Sequence, residues 1–144
     1  MGAAKEMGSE VLEMIFSIPI KDFQMNFVVC VDEKNSLAST LSMMKNSKIG
    51  STLVIKDNKL AGIFTERDVL NKIVGNDIDL ENTPVSDYMT PNPISLYPDS
   101  TLKDVVSSMS KGRYRHVPIV NKKNEPVSII SIKDIMEYIL PSVD

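Results

Sequence analysis

The chain has 144 residues, of which 42% are hydrophobic and 24% charged, and its formal net charge is −3. This composition is typical of a compact globular domain, and the acidic balance argues against a nucleic-acid binder that neutralises phosphates over a wide surface. No apolar run is long enough to span a bilayer and no signal-peptide pattern is visible, so we expect a cytoplasmic protein without membrane contact. One cysteine and one histidine exclude an internal disulfide and a structural zinc site.

The first part of the chain predicts a tail followed by a strand and a helix. Residues 1–16 form an N-terminal tail or helix, and within it residues 1–8 are expected to be a loose tail. The β-rich run Val28–Val31 predicts a strand. Leu37, Leu41 and Met44 then fall on one helical face, at i, i+4 and i+7.

A hairpin and a second helix follow. Ser51–Lys56 and Leu60–Phe64 are apolar and partly β-branched, and Asp57-Asn58-Lys59 between them supplies turn residues. Thr65 is the expected N-cap of a helix, and Gly75 is its expected C′ residue. Residues 17–75 therefore predict a strand-helix-strand-strand-helix repeat.

Residues 76–83 are a linker, and residues 84–141 predict the same order of elements again. A helix starts at about Ser100, strands cover Val117–Val120 and Val127–Ile130, and a last helix ends at Pro141.

The two halves also match residue by residue. Ile18–Phe23 matches Thr83–Tyr88, and Gly62–Leu70 matches Ser128–Met136. A unit of this size buries too little surface to be stably folded alone, so we expect two of them to pack with pseudo-two-fold symmetry. Such packing gathers equivalent loops around a central cleft, which is a usual place for a ligand.

Two motifs resemble those of the cystathionine-β-synthase (CBS) domain. Gly62–Asp68 and Ser128–Asp134 are similar to the Gly-x-x-Thr/Ser-x-x-Asp signature of that family, and residues 112–120 (GRYRHVPIV) are the second motif. The resemblance covers about residues 17–140. It implies an α/β fold of two tandem CBS repeats, also called a Bateman module, and a regulatory role.

The resemblance further implies that AMP, ADP or ATP binds between the repeats and that no other cofactor is required. An aspartate would accept hydrogen bonds from the ribose diol, and a hydroxyl at the helix start would contact sugar or phosphate. Arginine and histidine would bind phosphate, and apolar side chains would hold adenine. The candidate residues are Asp68, Asp134, Thr65, Ser131, Arg113, Arg115, His116, Arg67, Ile94, Val117 and Pro118, with backbone groups near Thr90 and Asn92 at the base edge.

The two halves are not equivalent in these residues. Gly50-Ser51 stands where the second half has Arg115-His116, so the charge of a bound phosphate must be balanced mainly by the second half. Ser128 replaces the signature residue Gly62, which predicts a more crowded backbone approach near Asp134. Whether one or both sites fill is left open, as is the hypothesis that Arg115 and His116 complete the Asp68 site.

Other interpretations of the same residues stay open. A hydroxyl N-cap with an acid in the first turn stabilises a helix without any ligand, and Arg67 and Lys133 are typical of solvated positions. S-adenosylmethionine shares the adenosine but would leave Arg115 and His116 unused.

A ligand-free dimerising scaffold would use apolar helix faces, and a homodimer is expected in either case. These faces carry Leu37, Leu41, Val106 and Met109. No catalytic triad, Walker loop or acid–base pair appears, so we do not expect an enzyme. The leading hypothesis is a nucleotide-sensing module that transmits a conformational change to an unidentified protein partner.

Overall fold

The structure is a computed structural model that describes residues 2–23, 28–112 and 114–143. It is a mixed α/β fold, as the sequence predicts. The main elements in chain order are α1 (Gly2–Phe16), β1 (Cys30–Asp32), α2 (Leu37–Ser47), β2 (Ser51–Lys56), β3 (Lys59–Thr65), α3 (Glu66–Asp68), β4 (Thr90–Pro91), α4 (Leu102–Gly112), β5 (His116–Val120), β6 (Pro126–Ser131) and α5 (Ile132–Val143). A π-helical turn, Val69–Ile73, continues α3, and 3-10 turns occupy Ile20–Asp22 and Val85–Asp87.

The chain folds into two compact units, which we name after the signature aspartate that each contains. The Asp68 unit comprises Val28–Pro93 and Lys123–Pro126. The Asp134 unit comprises Met1–Phe27, Ile94–Lys122 and Val127–Asp144.

The Asp68 unit is built on a four-stranded sheet with the order β1-β2-β3-β4. Strand β1 runs parallel to β2, and the β2–β3 and β3–β4 pairs are antiparallel. Asp57 and Asn58 connect β2 to β3 with φ of 52° and 66°, the left-handed conformation that favours Asn and Asp in tight hairpin turns. The core contains Val31, Leu37, Met44, Val54, Phe64, Ile73 and Val85.

The Asp134 unit repeats this plan with less regular strand pairing. Strands β5 and β6 form a two-stranded sheet, and Leu96 makes a parallel bridge to Ile119, as Val31 does to Val54 in the other unit. Its core contains Ile15, Ile20, Phe23, Leu102, Val105, Met109, Val117, Ile119, Ile130 and Ile135. The periodic apolar residues Leu37, Met44 and Met109 are therefore core residues.

Each compact unit takes a segment from both sequence repeats. In the Asp68 unit, Leu37 N donates to Thr83 O at 2.9 Å and Val85 N donates to Asn35 O at 2.7 Å, so the start of the second repeat packs with the first. The matching bond in the Asp134 unit runs from Leu102 N to Ile18 O, at 3.1 Å. Neither repeat contains a whole unit, which alignment of the two halves could not reveal.

Several element boundaries differ from the sequence-based expectation, among them those of α1, β1 and α5. Helix α1 begins at Gly2, so the prediction of a loose tail over the first eight residues is wrong. Strand β1 begins at Cys30 rather than Val28. Helix α5 passes Pro141 and ends at Val143, so the expected helix end at Pro141 is wrong.

Candidate functional site

Helix α3 begins with a capping box at the end of strand β3. Thr65 is the N-cap residue: its Oγ1 accepts from Asp68 N at 3.4 Å, and its own N donates to Asp68 Oδ2 at 3.0 Å. The helix-start interpretation of Thr65 and Asp68 is therefore confirmed. Their role in ligand binding stays a prediction.

The other carboxylate oxygen of Asp68 is also occupied. Lys72 Nζ lies 2.9 Å from Asp68 Oδ1, and Thr90 Oγ1 donates to the same oxygen at 3.2 Å. The Lys72 ammonium also donates to the carbonyl of Tyr88 at 3.0 Å. Sequence reasoning missed Lys72, although the Asp-x-x-x-Lys spacing on a helix is a known ion-pair signal.

Gly62 allows strand β4 to approach β3 closely enough to bring Thr90 to this site. A Cβ at position 62 would lie 2.9 Å from the backbone carbonyl oxygen of Thr90. Glycine is therefore needed for the close approach of two backbones. The neighbouring candidate Asn92 is exposed and donates its N–H to Ala61 O at 3.0 Å, so it secures the end of the same pairing.

The Asp134 unit has the corresponding capping box at the start of α5. Ser131 N donates to Asp134 Oδ2 at 2.9 Å, and Asp134 N donates to Ser131 Oγ at 3.1 Å. Asp134 is half-buried, whereas Asp68 is buried.

Strand β5 begins beside this helix start. Ile132 N donates to Arg115 O at 2.8 Å, and Arg115 is exposed. His116, the first residue of β5, is half-buried. Arg113 lies outside the described residues. The capping box of α5 and the two described phosphate candidates thus belong to one unit.

The equivalent place in the Asp68 unit carries no arginine. Glu66 N donates to Gly50 O at 3.0 Å, the counterpart of the Ile132–Arg115 bond. Lys48 is exposed and ends α2 in a left-handed conformation, with φ of 54°. A groove of about 620 Å³ near it is lined by Leu41, Met44, Lys45, Lys48, Ile49, Glu66, Val69 and Leu70. Neither Thr65 nor Asp68 lines that groove.

The remaining candidates differ in accessibility. Ile94 and Arg67 are exposed and can be reached by a ligand. Val117 is fully buried in the core and Pro118 is buried as well, and their place in an adenine slot stays a prediction. Ser128 is also fully buried within β6, so the hydroxyl that replaces the signature glycine points away from solvent.

Across the part of the chain that the structure describes, no group of three or more His, Cys, Asp and Glu side chains could hold a metal ion. No helix in the described ranges is both long enough and apolar enough to cross a membrane.

The fold and its two helix starts define a tandem-repeat α/β module with one candidate ligand-contacting aspartate in each unit. The chain belongs to the CBS domain family, since the family model for the CBS domain matches residues 20–75 and again 85–141. It contains two CBS domains.

Relatives of known sequence or structure agree with this assignment. An uncharacterised 17.7 kDa protein of Acidianus ambivalens is 32% identical over 114 residues, covering 78% of this chain and 68% of that protein. CBS domain-containing protein CBSCBSPB5 of Arabidopsis thaliana is 28% identical over 114 residues, or 78% of this chain, which spans only 21% of that longer protein. The CBS domain pair of protein MJ0100, solved with 5′-methylthioadenosine and S-adenosyl-L-methionine, superposes with a TM-score of 0.77. It is 21% identical, with coverage of 87% of this chain and 98% of that one, and it shows the shared fold.

Proposed function

We propose that this chain is a non-catalytic regulatory module that binds an adenine nucleotide, AMP, ADP or ATP. The observation that carries the proposal is the start of α5 in the Asp134 unit. The half-buried Asp134 carboxylate is held there by Ser131 N, and the carbonyl of the exposed Arg115 accepts from Ile132 N in the same turn.

Asp134 has the chemistry to bind a ribose. A carboxylate offers about four acceptor positions, and two vicinal hydroxyls can donate to it together. Within the ranges 2–23, 28–112 and 114–143, the one hydrogen bond to its carboxylate comes from Ser131 N. The capping box therefore fixes the side chain and leaves acceptor capacity for a diol.

The same helix start suits a phosphate. The backbone N–H groups of Ile132 and Asp134 already donate to Arg115 O and Ser131 Oγ, so the attraction for an anion there comes from the positive end of the helix dipole. Arg115 can add a bidentate charge-assisted contact, and His116 lies next to it in the chain. This charge favours a phosphorylated adenosine over S-adenosylmethionine, which carries no phosphate and remains the second candidate ligand. The ligands in the MJ0100 structure both contain adenosine, which is the part that the two candidate ligands share.

A regulatory role requires that the ligand bind two states of the protein with different affinity and that a partner detect the change. We expect a homodimer in the cytoplasm. Exposed apolar side chains on helical segments of both units support self-association, namely Leu70, Met136 and Leu140. The regulated partner is expected to be a protein.

Calorimetric titration with AMP, ADP, ATP and S-adenosylmethionine tests the proposal on Asp134→Asn and on a matched control, Asp104→Asn. Asp104 forms the same capping box with Thr101 at the start of α4: Thr101 N donates to Asp104 Oδ2 at 2.9 Å, and Asp104 N donates to Thr101 Oγ1 at 3.3 Å. Both substitutions perturb a cap, but only Asp134→Asn should weaken nucleotide binding, by about tenfold or more.

Arg115→Gln tests the phosphate contact, with Lys133→Gln as a charge control near the same helix start. Lys133 is exposed and lies 3.9 Å from Glu137, so its loss should matter little. We expect Arg115→Gln to weaken ATP by about tenfold and S-adenosylmethionine hardly at all. Absence of binding by every adenosine compound to the wild type would refute the proposal and favour a dimerising scaffold.

A further inference from the structure

The two signature aspartates differ in how many of their acceptor positions are already used. Asp68 Oδ1 receives Lys72 Nζ at 2.9 Å and Thr90 Oγ1 at 3.2 Å. Asp68 Oδ2 receives Thr65 N at 3.0 Å and Thr65 Oγ1 at 3.3 Å. Because a carboxylate offers about four acceptor positions, three hydrogen bonds and one ion pair leave Asp68 with little acceptor capacity within its own unit.

Burial closes the same side chain to a ligand. Asp68 is 7% exposed, so a diol would need to displace Lys72 and Thr90 to reach it. The Lys72 ammonium and the carboxylate form an ion pair at 2.9 Å, and a neutral ribose hydroxyl is a poor replacement for a charged partner. Asp134 is half-buried and, among the described residues, receives one hydrogen bond to its carboxylate.

Lys72, which pairs with Asp68, has a counterpart of another chemical type in the Asp134 unit. In the alignment of the two signature segments, Lys72 corresponds to Tyr138. The Tyr138 ring packs edge-on against Phe23, with ring centroids 4.7 Å apart. In the Asp68 unit the equivalent pair is Lys72 and Tyr88, and there the ammonium hydrogen-bonds the Tyr88 carbonyl. One unit thus anchors its helix with a cation beside the signature aspartate, and the other with an aromatic contact.

We propose that Lys72, together with Thr90, withholds the Asp68 carboxylate from the nucleotide, so that each chain binds one nucleotide through Asp134. This inference rests on the proposed nucleotide-binding function and assigns unequal roles to the two aspartates. Asp68 is a structural group and Asp134 contacts the ribose. Lys72 determines the stoichiometry without contacting the ligand.

Calorimetry with ATP and AMP gives the stoichiometry for wild type, Asp134→Asn and Asp68→Asn. We expect one nucleotide per chain in wild type, loss of about tenfold or more in affinity for Asp134→Asn, and affinity within about threefold of wild type for Asp68→Asn. If Asp68→Asn does not fold, the wild-type stoichiometry and the Asp134→Asn result still decide the question.

The double variant Lys72→Met, Thr90→Val vacates both acceptor positions of Asp68 Oδ1 and should raise the stoichiometry to two. Lys133→Met, which removes a lysine from the exposed pair with Glu137, is the control and should leave it at one. Two nucleotides bound to wild type, or binding lost in Asp68→Asn and kept in Asp134→Asn, would overturn the inference while the proposed function stands. A double variant that folds but still binds one nucleotide would show that Lys72 and Thr90 do not close the site. If wild type binds neither nucleotide, the inference falls with the proposed function.

Discussion

Replacing each signature aspartate by alanine should have unequal effects on stability, although the two positions are equivalent in the repeat. Asp134→Ala removes a capping box, and loss of such a cap typically costs about 1 kcal/mol. Asp68→Ala removes the same kind of cap and also two further contacts.

The additional cost at Asp68 can be worked out from those contacts. Removal of the carboxylate leaves the part-buried Thr90 hydroxyl without its acceptor, at about 1 kcal/mol. The Lys72 side chain is 39% exposed, so water screens its charge and the lost ion pair is worth about 0.5 to 1 kcal/mol. The total for Asp68→Ala is then about 3 kcal/mol, compared with about 1 kcal/mol for Asp134→Ala.

Urea denaturation followed by circular dichroism measures both free energies of unfolding. Asp104→Ala, which removes the third capping box, should match Asp134→Ala. If Asp68→Ala and Asp134→Ala differ by less than about 0.5 kcal/mol, the contacts of Lys72 and Thr90 with Asp68 contribute nothing beyond the cap, and the reasoning is refuted.

Three further predictions concern residues outside the aspartates. Gly62→Ala should lower the free energy of unfolding by about 1 to 3 kcal/mol because its methyl would meet backbone, whereas Gly8→Ala, with open space in α1, should raise it by about 0.5 to 1 kcal/mol. Urea denaturation measures both, and two changes of the same sign would contradict the argument. Asn58→Ala should lower the thermal midpoint, since its φ of 66° costs a β-carbon residue about 1 kcal/mol, and Asn58→Gly should not. Burial raises the pKa of the Cys30 thiol, so the unfolded chain ionises first as pH rises. As pH rises above the ordinary thiol pKa of about 8.5, wild type should lose stability relative to Cys30→Ala, and parallel pH profiles would exclude this linkage.

The sequence by itself determined the features that depend on short-range spacing. The hairpin turn at Asp57 and Asn58 and the helix starts at Thr65 and Ser131 involve residues at most three positions apart in their hydrogen bonding, so local preferences are sufficient to predict them. Gly75, expected as a C′ residue, does adopt φ of 83°. The duplication of the two halves is also visible in the sequence alone.

Only the tertiary structure decided which signature aspartate keeps acceptor capacity for a ligand. Thr90 reaches Asp68 because β4 pairs with β3 across Gly62, and that pairing joins residues far apart in the chain. Long-range backbone hydrogen bonds likewise decide that Thr83 packs in the Asp68 unit and Ile18 in the Asp134 unit. Two repeats with nearly the same signature therefore differ in the acceptor capacity of their aspartates for a physical reason: the chemistry of a carboxylate depends on which groups the fold places around it.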